Sequence, residues 1–181
     1  MMPVVRGKDI EVLYSASTIA RRNLELAKEI AARDYHDLLV ISVLKGSFIF
    51  AADLIRAMHD VGLSPEVEFI FISSYGAGTT SGEVRVLRDI DNAVSGRDVL
   101  LIDDILESGK TLAFTRNLML ERGARSCSIV ALLDKRMRRQ LAIDADYVGF
   151  ECPDHFVVGY GMDAAHAFRE LPFVGIVKGD A

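Results

Sequence analysis

The chain has little of what announces metal or redox chemistry: two cysteines and four histidines among 181 residues. Cys127 and Cys152 show no C-x-x-C or other metal-like spacing, so they are expected to be small buried residues in a reducing compartment. His36, His59, His155 and His166 lack H-E-x-x-H spacing and are read as surface or core side chains, not zinc ligands. No apolar run approaches the ~20 residues of a membrane span. Met1 to Asp9 lack the apolar core of a secretory signal, so a cytosolic protein is expected. Basic residues are not in excess: 21 Lys and Arg face 26 Asp and Glu, for a net charge of −5 without a basic block. That balance disfavours a dedicated nucleic-acid surface. Neither a linker nor an internal repeat interrupts the chain. With 50% hydrophobic residues it is not disordered, and its length suits one domain or a core with a small appendage.

What is present centres on Val99 to Thr111, V-L-L-I-D-D-I-L-E-S-G-K-T. Val99 to Ile102 fit a strand buried on both faces, and Asp103 and Asp104 follow where that strand is expected to end. Glu107 and the small tail Ser108-Gly109-Lys110-Thr111 come next, before a helical pattern that starts at Leu112. Ligands of open parallel sheets bind beyond the carboxyl ends of strands. A turn entering a helix N-terminus offers free N–H groups to a phosphate. Gly-Lys-Thr invites a P-loop assignment, but Asp104 stands where the first Gly of that pattern belongs. The combination of acids with an anion cradle therefore points to a sugar phosphate, against the plainer alternative of an ordinary strand-to-helix turn with solvated acids.

Elsewhere the pattern repeats. Ser15 or Ser17 can cap a helix running to about Arg33, with Ile19, Leu26, Ala27 and Ile30 on one face. Leu38 to Leu44 is a second buried-strand candidate, ending in Lys45-Gly46-Ser47 before a helix from Phe48 to Met58. Val67 to Ser73 is expected as a strand. After it comes the Gly-, Ser- and Thr-rich stretch from Ser74-Tyr75 to Gly82, then a returning arm from Glu83 to Arg88. Leu112 to Arg122 is expected as a helix closed by Gly123, and Ser128 to Leu133 as a strand with Lys135 just beyond it. Tyr147 to Tyr160 looks like two short strands around Pro153-Asp154, for which a hydrophobic hairpin is the plain structural option.

The stretch 99–111 resembles the phosphoribosyl-pyrophosphate (PRPP) motif of type I phosphoribosyltransferases. Further matches, in five stretches spread from Leu44 to Arg169, narrow the likeness to the hypoxanthine-guanine group. The resemblance implies an α/β fold: a mainly parallel central sheet flanked by helices, with its core at about 36–135. It also implies a small hood from the N-terminal segment and about 136–181. PRPP and a 6-oxopurine are the implied substrates and Mg²⁺ the cofactor, in a homodimer or homotetramer that binds neither membrane nor nucleic acid. The turn from Asp103 through Ile105, Leu106, Glu107, Ser108, Gly109 and Lys110 to Thr111 is implied to hold the 5′-phosphate and ribose. Lys45, Gly46 and Arg169 are implied at the pyrophosphate, with a cis peptide between Lys45 and Gly46. Ser74 and Tyr75 match the lid signature. Lys135 is implied to donate to the purine O6, which an ammonium can do because it carries only donors. The resemblance likewise implies that Phe156 stacks on the base, that Val157 meets its edge with Asp163 beside it, and that Asp103, Asp104 and Asp163 make the metal set.

Two departures stand out: Glu107 occupies the place where the group usually carries the Asp that acts as catalytic base, and Asp103 stands where Glu is usual. Rival readings are a PRPP-sensing, RNA-binding regulator on the same fold and a non-catalytic structural domain. The first needs a basic face. The second leaves the acids, lysines and lid signature without a common reason.

Overall fold

The two apolar runs that flank the expected site lie side by side at the middle of one sheet. The computed structural model describes residues 2–74 and 83–178. In chain order these form β1 (Val4–Val5), β2 (Lys8–Tyr14), α1 (Ala16–Ala31), β3 (Leu39–Leu44), α2 (Phe48–Asp60), β4 (Glu66–Ser74) and β5 (Val84–Arg88). There follow β6 (Asp98–Leu106), α3 (Lys110–Glu121), β7 (Ser126–Asp134), β8 (Tyr147–Glu151), β9 (Val157–Val158) and β10 (Val174–Val177). The larger sheet has strand order β5-β4-β3-β6-β7-β8 and is parallel except for the β4–β5 pair. The smaller is antiparallel, β1-β2-β10-β9.

Unbroken hydrophobicity in the central strands has a direct cause: both faces of the sheet are covered. Val40, Leu100, Ile102, Val130 and Leu132 pack against α1 and α2 through Leu26, Ile30, Phe50 and Leu54. Their neighbours Leu39, Ile41, Val99, Leu101 and Ile129 pack on the other face with Leu112 and Met119 of α3. Each such side chain contributes about 1.5–3 kcal/mol of burial. Ser15 caps α1, its Oγ accepting the Thr18 N–H at 3.2 Å. Gly109 begins α3 with φ +86°, and a Cβ there would lie 2.4 Å from Ile143 Cγ2, so this position favours glycine twice over.

Three expectations need correction. The strand that opens the site does not end at Ile102: β6 runs through Asp103 and Asp104 to Leu106. Its pairing with β7 persists to Leu106 opposite Asp134, and that ladder overrides the poor strand propensity of Asp. The stretch 147–160 is not a hairpin, because β8 joins β7 in the large sheet while β9 joins β10 in the small one. For the same reason the hood does not take all of 136–181, since β8 forms the edge of the core sheet. Tyr14 of β2 stacks on Phe150 of β8 at 4.1 Å between ring centroids, which ties the two sheets together.

Candidate active site

Strand order reverses between β3 and β6, and there the two strands part. Their pairing stops at Ser42 opposite Ile102. Beyond it, Val43 to Gly46 and Asp103 to Glu107 form opposite walls of a crevice of about 270 Å³, which Ser108, Gly109 and Thr111 close at one end. This is the switch point at which open α/β sheets bind ligands. A second cavity, of about 450 Å³, adjoins it through Lys45, Gly46, Asp104, Ile105 and Glu107. Its remaining walls include Phe71, Lys135, Phe156, Val157, Asp163 and Arg169.

Most expected site residues are therefore brought together. Lys110 is not among the residues lining either cavity, since it opens α3 with its N–H on Ser108 Oγ. Ser74 ends β4, and Tyr75 lies outside the described residues. The cis peptide joins Leu44 to Lys45, one bond earlier than expected. Close approach explains Gly46: a Cβ there would fall 2.0 Å from Asp104 Oδ2.

Asp103 and Asp104 sit side by side with few counter-charges. Burial raises both carboxyls above the ordinary range. At Asp103 the neighbouring Asp104 charge adds to the rise; at Asp104 hydrogen bonds and the Arg169 charge hold it back. Such a pair suits a hard cation that keeps some waters and takes other oxygens from its substrate. Asp163 does not join them. One of its oxygens meets Arg169 Nη2 at 3.1 Å and the other accepts the His166 N–H at 2.8 Å. Among the described residues no three His, Cys, Asp or Glu side chains converge on one point, so the expected three-carboxylate set is not assembled.

The larger cavity borders a chain of charges. Lys135, buried, has its Nζ 3.1 Å from Glu107 Oε1 and 3.6 Å from Asp154 Oδ1. Arg138 Nε donates to the same Asp154 oxygen at 2.7 Å and holds that carboxyl below its ordinary range. Phe156 is 65% exposed while its neighbour Val157 is buried, and both line this cavity. Arg169 also donates to the Gly161 carbonyl at 2.6 Å. Asp154 and Arg139 were missed as site residues. In sequence they are a turn acid and one of four cations in Lys135 to Arg139, and nothing local marks their partners.

The chain matches the family model of the phosphoribosyl transferase domain over residues 9–165. It is 48% identical over 174 residues to the hypoxanthine-guanine phosphoribosyltransferase of Bacillus subtilis, covering 94% of each chain. To the hypoxanthine phosphoribosyltransferase of Escherichia coli K12 it is 41% identical over 172 residues, covering 93% of this chain and 95% of that one. A solved structure of an HPRT in which an invariant aspartic acid is replaced by glutamic acid superposes with TM-score 0.86 at 41% identity, covering 93% and 95% of the two chains.

Proposed function

The chain belongs to the phosphoribosyltransferase family, in its hypoxanthine-guanine branch, and from that premise we propose how its own residues carry the reaction. The phosphoribosyl group of PRPP passes to N9 of hypoxanthine, guanine or both, in purine salvage, yielding the nucleoside monophosphate and pyrophosphate. The observation that carries this is the junction of the two cavities: Glu107 borders both, with the buried Lys135 cation beside it. A base seated against Lys135 and Phe156 lies next to whatever occupies the phosphate crevice.

Backbone N–H groups of 107–111 and the hydroxyls of Ser108 and Thr111 would bind the 5′-phosphate. Asp103 and Asp104 would hold the ribose hydroxyls. Lys45, Gly46 and Arg169 would orient the pyrophosphate, the guanidinium fork matching its oxygens. Mg²⁺, when bound, offsets charge growing on the departing pyrophosphate, and Asp103 and Asp104 are the carboxylates suited to hold it. Asp163, positioned by Arg169, would serve as an outer carboxylate of that shell. Lys135 would donate to O6 and so reject 6-amino purines, whose amino group would leave the ammonium unpaired. Glu107 would take the proton from N7 in place of the usual Asp, its added methylene accommodated by the reach already made to Lys135. Ser74 and Tyr75 would close a lid that keeps water from the activated ribose.

A PRPP assay with hypoxanthine, guanine, xanthine and adenine, with and without Mg²⁺, tests this. Turnover is expected with a 6-oxopurine only, and is expected to be lost on chelation. No transfer to any base sinks the proposal. Arg136, Arg138 and Arg139 each pair with a carboxylate, which removes support from the RNA-binding alternative. We also propose a cytoplasmic homodimer or homotetramer. Phe48 and Phe69 remain 42% and 48% exposed, as an assembly face would require, and light scattering would report the mass.

A further inference from the structure

We propose that Arg139 is a positioning residue for the phosphate cradle: it fixes the Glu107 carbonyl at the back of the 107–109 turn so that the adjoining Ser108 N–H faces the ligand. The inference rests on the phosphate-binding role proposed above for that turn. In a trans peptide the C=O and the N–H point in opposite directions. The Glu107 carbonyl shares its peptide with the Ser108 N–H, and the Ser108 carbonyl shares its peptide with the Gly109 N–H. Both carbonyls are held on the same side. Arg139 Nε donates to Glu107 O at 3.1 Å, and the N–H groups of Gln140 and Leu141 donate to Ser108 O at 3.0 and 3.2 Å. A Cβ on Gly109 would likewise meet Ile143, Arg139 and Leu141. The segment 139–143 thus wraps the back of the turn, and the crevice lies in front of it. Among the described residues no protein acceptor meets the N–H of Ser108 or Gly109.

The far end of the guanidinium is anchored too. Arg139 Nη2 donates to Asp134, the buried last residue of β7, and Nη1 donates to the Ile143 carbonyl. One side chain, 14% exposed, therefore couples the turn after β6 to the strand end that precedes Lys135. Only arginine carries enough donors, in a fixed plane, to hold these acceptors at once. With Arg139 removed, the Glu107–Ser108 peptide can rotate, and the first N–H of the cradle loses its aim.

The test is calorimetric binding of inosine monophosphate and of inosine, which lacks the phosphate, to the intact protein and to Arg139→Met, Arg139→Lys and Ile143→Ala. Arg139→Met is expected to weaken the nucleotide about tenfold, the loss of one or two aligned donors to a charged group. The nucleoside should bind unchanged. Arg139→Lys, able to reach one acceptor, should fall between, and serves alone if the methionine variant does not fold. Ile143→Ala, which removes packing and leaves the hydrogen bonds, should not alter the nucleotide-to-nucleoside ratio. In turnover the KM for PRPP should rise while that for hypoxanthine holds. Equal losses for nucleotide and nucleoside, or no loss for either, overturn the inference while leaving the proposed function intact. Failure of the unaltered protein to bind the nucleotide overturns both.

Discussion

The crevice proposed for the phosphate and the cavity proposed for the purine share Lys45, Gly46, Asp104 and Glu107, yet the chain assembles them by different means. The first sets one stretch, Asp103 to Thr111, against the end of β3 at Val43 to Gly46, and its work falls to backbone groups and two adjacent acids. The second gathers Lys135, Phe156, Val157, Asp163 and Arg169 from the end of β7, the β8–β9 connection and the hood, with Asp154 paired to Lys135. Its polarity comes from side-chain ion pairs: Glu107 to Lys135, Lys135 to Asp154, Asp154 to Arg138. A site made of backbone should be sensitive to conformation and tolerant of many side chains. A site made of paired charges should be the reverse, because removing one member leaves another buried without its partner.

Glu107 belongs to both halves and should show the largest effect. Glu107→Gln is expected to lower kcat by about 10²–10⁴-fold, the usual span for a general base. PRPP affinity should stay near its starting value; an unchanged kcat would assign the base to another group. Lys135→Gln probes the purine half alone. The kcat/KM for hypoxanthine should drop about a hundredfold, and the preference over adenine should narrow, since an amide can accept as well as donate. A matching rise in the PRPP KM would erase the distinction drawn between the halves. Gly109→Ala probes the phosphate half. Strain at φ +86° and the approach to Ile143 should raise the PRPP KM roughly tenfold, with purine affinity held.

The smallest effect on activity is expected at the other end of the same strand. Asp98 is 4% exposed at the start of β6 and accepts from the His36 N–H at 2.6 Å and the Ser126 hydroxyl at 2.7 Å. Burial pushes its carboxyl up, but those bonds and the nearby Arg125 outweigh it, so the folded-state value is lowered. A lowered folded value means stabilisation that is full above the unfolded value of roughly 4 and is lost as pH falls through the folded one. Asp98→Asn should cost about 1–3 kcal/mol at neutral pH and flatten the acid limb of the stability curve, measured by urea titration. Both KM values should remain as they were.

These contrasts follow how far apart in the chain each piece lies. The buried strands, the cap at Ser15 and the helix closed near Gly123 were legible, because each depends on neighbours within a few residues. β6 outran its expected end because β7 supplied backbone partners to Asp103, Ile105 and Leu106. The 147–160 stretch divided between two sheets because its turn at Pro153-Asp154 redirects the chain, and two short strands in sequence do not say which sheet each will join.

By itself the sequence determined an α/β chain with a small, Gly-containing turn leading from a buried strand into a helix, since a continuous apolar run and a Gly before a helical pattern are local properties. Only the tertiary structure decided that β3 and β6 part beyond Ser42 and Ile102, that Glu107 meets Lys135, and that Arg139 grips the back of the turn. Those are pairings between distant segments. A carboxylate or a guanidinium carries no mark of its partner until packing brings the two within hydrogen-bond reach.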